Sequence, residues 1–265
     1  MTCLMKTEAP FEILLAQSTD SSHLQISWQP EKPARESTLE ARIEKHWQDQ
    51  ITASGKGDFI FNGALCSLLG WEMQDTALCL SLGQTDYKEL LFSNFCHTHM
   101  KAAADVQFDA KALGVSLILT TADDRVIMMR RSQQVGEAPG KMDVIGGHIH
   151  PGENRTDGVP DPYAAIRAEV AEELGAIRLR DLSCLGLLRT TATGKPEMIF
   201  TALAKENATA IIGTAVENNS NEVSAWLTFP NSKQTLLSLL ETQADQLSPS
   251  AAGALWLHAR TQAIT

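Results

Sequence analysis

Apolar positions along this chain fall into short runs divided by polar turns, and the spacing inside each run predicts strand or helix. Phe11 to Ala16 and Leu24 to Trp28 predict two short strands. From Glu36 to Thr52 the apolar residues Leu39, Ile43, Trp47 and Ile51 recur every four positions, which is one face of a helix. Phe59 to Leu69 and Thr76 to Leu82 predict two more strands, and Tyr87 to Leu91 and Cys96 to Ala104 two short helical stretches. Leu113 to Thr120 and Arg125 to Arg131 flank a short polar turn, a hairpin pattern. Met142 to Ile145 is a strand that runs into Gly146-Gly147. Ser183 to Thr190 and Glu197 to Ala204 flank a Thr-Gly-Lys-Pro turn and form a second hairpin, and Ala225 to Phe229 is a last strand. Ser232 to Glu241 and Ser250 to Arg260 close the chain as helices.

The helix that follows Asp161 has the clearest boundaries. Asp161 is a cap for the free N–H groups of its first turn, and Pro162 stands where a missing N–H costs nothing. Gly175 is the residue that turns left-handed and ends it. Tyr163, Ile166, Val170 and Leu174 form its apolar edge. Glu169, Glu172 and Glu173, at i, i+3 and i+4, share another face. Oxygen ligands gathered this way suit Mg²⁺ or Mn²⁺, and the same spacing also describes a solvated acidic face.

Composition narrows the choices. The 265 residues carry 22 Lys and Arg against 32 Asp and Glu, a formal charge of −10, which argues against general nucleic-acid or anionic-membrane binding. The five cysteines are scattered without metal-ligand spacing, as expected of reduced thiols. No apolar run approaches the ~18 residues of a membrane span. The N-terminus makes a poor signal peptide, so a cytoplasmic location is expected. Residues 1 to 108 are expected to form a small α+β subdomain, and 109 to 265 the main domain.

The order Gly147, five residues, Glu153, a gap, then Glu169-Val170-Ala171-Glu172-Glu173-Leu174-Gly175-Ala176 resembles the Nudix box, G-x5-E-x7-R-E-U-x-E-E-x-G-U. Two departures mark it. Fourteen residues separate Glu153 from the position of the usual Arg, where the box has seven, and that position is Ala168; Arg167 stands one place early. The extra residues read as an inserted loop, including Asn154 to Pro160. Residues 80 to 94, 113 to 147 and 239 to 260 resemble the UDP-glucose and UDP-galactose diphosphatase branch of the Nudix hydrolases, a branch with a lengthened loop and no standard Arg.

That resemblance implies an α/β/α sandwich with a mixed sheet and Mg²⁺-dependent (or Mn²⁺-dependent) hydrolysis of a nucleotide sugar to UMP and sugar 1-phosphate. It implies Glu169, Glu172, Glu173 and the Gly147 carbonyl as metal ligands. Gly147, lacking a side chain, also lets backbone approach a metal and phosphate closely. Glu153 is a further ligand or a group holding the acidic helix. Glu169 or Glu222 is the base that orients water. One of Arg130 and Arg131 faces the site, because strand residues alternate, and clamps phosphate or stacks on uracil. Tyr87 and Asn94 are candidates for sugar or uridine contacts, with Tyr87 also suited to packing its helix. His148 and His150 are expected as exposed loop residues. Two alternatives stay open: hydrolysis of ADP-ribose or a CoA derivative, and a non-catalytic nucleotide-binding protein, prompted by Ala168.

Overall fold

In this computed structural model, residues 9–54, 61–99, 108–218 and 221–262 are described. The chain runs through β1 (Phe11–Leu15), β2 (Leu24–Trp28), α1 (Ser37–Ser54), β3 (Ala64–Gln74), β4 (Ala77–Asp86) and α2 (Tyr87–His99). β5 (Gly114–Thr120), β6 (Arg125–Arg131), β7 (Met142–Asp143), β8 (Ile145–His148), β9 (Arg155–Thr156) and β10 (Val159–Pro160) lead to α3 (Pro162–Leu174). β11 (Leu179–Thr190), β12 (Pro196–Ala204), α4 (Ala208–Asn218), β13 (Val223–Pro230), α5 (Lys233–Thr242) and α6 (Pro249–Thr261) complete it.

The large sheet has the order β1-β11-β12-β5-β6-β13, mixed because β12 and β5 pair in parallel. Side chains of successive strand residues point to opposite faces, and both faces here are apolar. Val115, Leu117, Leu119, Ile127 and Met129 pack on one side with Ile166, Val170 and Leu174 of α3 and Ile211 of α4. Ile118, Val126, Met128 and Ile199 pack on the other with Leu236 of α5 and Leu255 of α6. The result is the expected three-layer α/β/α sandwich. A smaller sheet, β2-β4-β3, adds Leu78, Leu80 and Leu82 to the first of these clusters.

The expected hairpin of β5 and β6 is paired only at Leu119–Ile127 and Thr120–Val126. Beyond those pairs the strands part. β8 then pairs β5, with Val115 opposite Gly147, and β7 pairs β6, with Met129 opposite Asp143. This split sets Asp143 and Gly147 on the lining of one cavity.

Several expectations change. β1 was assigned with the N-terminal part, but it pairs antiparallel with β11 at the edge of the large sheet, where Phe11 is buried and lies 6.2 Å from the Trp256 ring of α6. Residues 87 to 99 form one helix where two stretches were expected, and the strand after residue 63 turns at Asp75 (φ 54°) straight into β4. α4 has no counterpart in the sequence reading. The parts of the expected elements at 59–60 and 100–104 lie outside the described residues.

His258, on α6, is buried, with Nε2 2.9 Å from Asn231 Oδ1 and Nδ1 3.4 Å from the Thr201 hydroxyl. Burial lowers its pKa from 6.5 to about 4. The unfolded chain therefore takes a proton that the folded chain refuses. Its contribution is complete above pH 6.5 and is lost as pH falls toward 4, at about 1.4 kcal/mol per pH unit. Urea midpoints of a His258→Gln variant are expected to vary less between pH 6.5 and 4 than those of the parent protein. An unchanged acid slope would refute this assignment.

Candidate active site

Local chemistry fixes the acidic helix in place. Asp161 Oδ1 accepts the Tyr163 N–H at 2.8 Å, Pro162 begins the helix, and Gly175 (φ 78°) ends it with its N–H donated to Ala171 O. The Tyr163 hydroxyl donates to Thr19 O at 2.6 Å and accepts the Cys184 N–H at 3.2 Å, which ties α3 to the sheet. The inserted loop is held by Asn154, which is buried. Its Oδ1 accepts the His150 N–H at 2.8 Å and its carbonyl accepts the Asp161 N–H at 2.8 Å. The residues between fold back as the β9–β10 ribbon, turning at Gly158 (φ 84°). The insertion is therefore looped out between two fixed ends, and the helix keeps its place.

The three helix carboxylates have different environments. Glu173 is buried, Glu169 half-buried and Glu172 exposed. Glu169 lies so close to β8 that a Cβ on Gly147 would collide with its carboxylate, and it accepts the His148 backbone N–H. Burial, with the charges of Glu172 and Glu222, raises Glu169 to about 8. Burial and the neighbouring Glu169 raise Glu173 well above the usual carboxylate range, and Glu173 Oε2 has no hydrogen-bond partner. Such an arrangement is unfavourable unless a cation completes it.

These groups form one wall of a cavity of about 1010 Å³. Glu153 stands on an exposed stretch of its rim, and Glu222 lines it from the segment before β13. Gly147, Tyr87, Asn94 and Arg131 also line it. Arg130 does not: alternation along β6 turns it away, and its Nη1 donates to Gly140 O at 3.0 Å. Ala168 lines the cavity where the box has Arg, and Arg167 does not replace that residue, since its Nη1 donates to Tyr163 O at 3.2 Å. The guanidinium that favours ionised Glu169 and Glu173 belongs to Arg131, which is fixed by its Nε bond to Glu137 O (3.0 Å) and by Asp143 at 3.5 Å.

Among the described residues, no three His, Cys, Asp or Glu side chains stand together in a metal-binding arrangement. The donor chemistry nevertheless fits a hard divalent cation. An unpartnered buried carboxylate oxygen, a second raised carboxylate and a glycine whose backbone is open to close approach meet at one wall.

Of a second polar cluster on the cavity lining, the sequence reading reached Asn94 but not Glu137, Lys195 and Glu197. Lys195 Nζ lies 3.2 Å from Glu137 Oε2 and 3.4 Å from Glu197 Oε2. Asn94 Nδ2 donates to Glu137 Oε1 at 3.1 Å, and the Ser116 hydroxyl donates to Glu197 Oε1 at 2.6 Å. His148, expected on an exposed loop, is instead on β8 with Nε2 3.6 Å from Glu137. Burial opposes the charge on Glu137, but Lys195, His148 and Arg131 outweigh it and hold that carboxyl at about 2. For Glu197, burial prevails over the same lysine and the shift is upward. One signal for this wall was present: Glu197 interrupts the apolar run Pro196–Ala204, where a carboxylate requires a partner.

A family model described as the NUDIX domain matches residues 110–249. The uridine diphosphate glucose pyrophosphatase NUDT22 of Mus musculus is 30% identical over 209 residues, 69% of this chain and 67% of that protein. The protein of the same name from Homo sapiens is 29% identical over 209 residues, covering 70% and 69%. Nudix hydrolase 9 of Arabidopsis thaliana is 26% identical over 229 residues, covering 72% and 73%.

Proposed function

This chain belongs to the Nudix family, and from that premise we propose that it is a Mg²⁺-dependent diphosphatase of UDP-sugars such as UDP-glucose and UDP-galactose, releasing UMP and sugar 1-phosphate. The observation that carries the reading is the buried Glu173 carboxylate, unpartnered beside Glu169, on the wall of a cavity of about 1010 Å³. A space of that size suits a ligand larger than a mononucleotide. The names of the Mus musculus and Homo sapiens relatives support uridine diphosphate glucose as the substrate type.

Glu169, Glu172, Glu173 and the Gly147 carbonyl are the groups that would hold Mg²⁺ or Mn²⁺, with Glu153 at the rim as a further acid. Such a cation neutralises diphosphate oxygens and acidifies a bound water. Glu169, half-buried on the cavity wall, is one candidate to orient or deprotonate the attacking water. Glu222 is the second candidate for orienting it. Arg131, pinned by Glu137 O and Asp143, keeps its guanidinium in the cavity, where it balances the charge of a diphosphate. Tyr87 and Asn94, on the same cavity lining, are candidates for sugar or uridine contacts.

Purified protein with UDP-glucose and Mg²⁺ is expected to yield UMP and glucose 1-phosphate in equal amounts, separable by ion-exchange chromatography. Excess chelator should abolish the products, and added Mg²⁺ should restore them. Turnover confined to ADP-ribose or a CoA derivative would overturn the uridine assignment. Nucleotide binding without turnover of any of these would overturn the enzyme.

A further inference from the structure

We propose that the wall formed by Asn94, Ser116, Glu137, His148, Lys195 and Glu197 is a subsite for the vicinal hydroxyls of the substrate. The proposal rests on the reading of the cavity as a nucleotide-sugar site and assigns its polyol half.

Asn94 Oδ1, His148 Nε2 and Glu197 Oε2 are buried without hydrogen-bond partners, and all three residues line the same cavity. Glu197 Oε2 has only Lys195 Nζ at 3.4 Å and His148 Nε2 only Glu137 Oε2 at 3.6 Å, both short of a good hydrogen bond, while Asn94 Oδ1 has none. Since a buried polar atom left unpaired costs about 1–3 kcal/mol, the three mark a surface with hydrogen-bonding capacity left for a ligand. Two of the three are acceptors only. The ligand must therefore bring several donors.

A phosphate brings none when fully ionised, and it meets two carboxylates, Glu137 and Glu197, against one lysine. Uracil brings a single ring N–H. A polyol brings a donor and an acceptor at every hydroxyl, and adjacent hydroxyls match a carboxylate beside an amide or ammonium group.

The wall is also held rigid before any ligand arrives. Ser116 occupies Glu197 Oε1, and Lys195 Nζ stands 3.4 Å from Oε2. Glu197 and Gly114 are partners across the parallel β12–β5 pair, and a Cβ on Gly114 would collide with the Glu197 carboxylate. Lys195 is fixed between two acids, and Asn94 is fixed through its Nδ2 bond to Glu137. Fixed polar groups at the end of a cavity select for ligand geometry.

Calorimetric titration of the intact protein with Ca²⁺ in place of Mg²⁺, over a time in which chromatography shows the probe uncut, separates the hydroxyls of the sugar from those of the ribose. The probes are UDP-glucose, the methyl ester of UDP, and UDP-glucose lacking both ribose hydroxyls. Glu197→Gln and Asn94→Ala are each expected to weaken UDP-glucose about 10- to 100-fold. A loss that spares the methyl ester assigns the wall to the hexose. A loss that spares the deoxygenated probe assigns it to the ribose. Equal losses on all three probes, or none, overturn the subsite. Thermal melting checks that each variant is folded, and the isosteric Gln change guards against a failure of the Ala one. If the parent binds no uridine probe, the uridine reading fails, and ADP-ribose against the methyl ester of ADP puts the same question. Failure to bind those as well overturns the subsite too.

Discussion

Glu173→Gln is expected to melt several degrees higher than the parent protein and to form UMP about a thousandfold more slowly. Both effects have one cause. Glu173 is buried, burial and Glu169 push its pKa well up, and Oε2 has no partner, so the metal-free fold must either hold its charge or protonate it, at a cost. Glutamine keeps the shape, removes the cost of desolvating or protonating the acid and stabilises the apoprotein by about 1–3 kcal/mol. At about 2–4 °C per kcal/mol for a chain of this size, the shift is readily measured in chelator. The same change removes a charged ligand, and a thousandfold loss corresponds to about 4 kcal/mol of barrier. Glu172→Gln is the control. Glu172 is exposed, so its replacement should lower turnover without raising the melting temperature. A Glu173→Gln protein with full activity would remove Glu173 from the machinery. One that melts lower would show that its carboxylate supports the fold.

The acidic helix was legible because everything that defines it is local. Asp161, Pro162, Gly175 and the two faces of the helix lie within fifteen residues, and short-range rules act over that distance. The strands of the sandwich were legible for the same reason, through alternation and turns. The cluster of Glu137, Lys195 and Glu197 was not, because it is assembled by pairing at long range. Lys195 meets Glu137 from 58 residues away, and Ser116 meets Glu197 from 81. Only the parallel β12–β5 pair and the split of β5 from β6 bring those positions together. α4 was missed because small and β-branched residues dominate it and its packing residues Ala208, Ile211 and Ala215 make a weak stripe. The edge position of β1 depends on burial of Phe11 against α6, near the other end of the chain. Arg130 and Arg131 were equivalent in sequence. The outward turn of Arg130 and the bond from Arg131 to Glu137 O separate them.

Lys195→Met should be the most destabilising single change on the cavity wall, about 3–5 kcal/mol, because it leaves the buried Glu197 and the half-buried Glu137 without their shared cation. The loss has a pH signature. Glu137 is held at about 2 when folded, against an ordinary 4.5, so its ionisation stabilises the fold above pH 4.5 and that contribution fades as pH falls toward 2. Lys195 is the largest favourable influence on that carboxyl. Without it, Glu137 takes up a proton at higher pH, and the charge that destabilises the variant disappears. The deficit in urea midpoint should therefore be greatest near neutral pH and shrink below pH 4.5. Adding Glu197→Gln to Lys195→Met should recover part of the loss at neutral pH, since one of the two uncompensated charges is gone, although Glu197→Gln alone leaves Lys195 with Glu137. The double-mutant cycle then measures a coupling between positions 195 and 197, which distinguishes an ion-paired wall from a merely packed one. A deficit of the same size at pH 7 and pH 4, with no coupling, would mean that the aliphatic stem of Lys195 supports this wall and its charge does not.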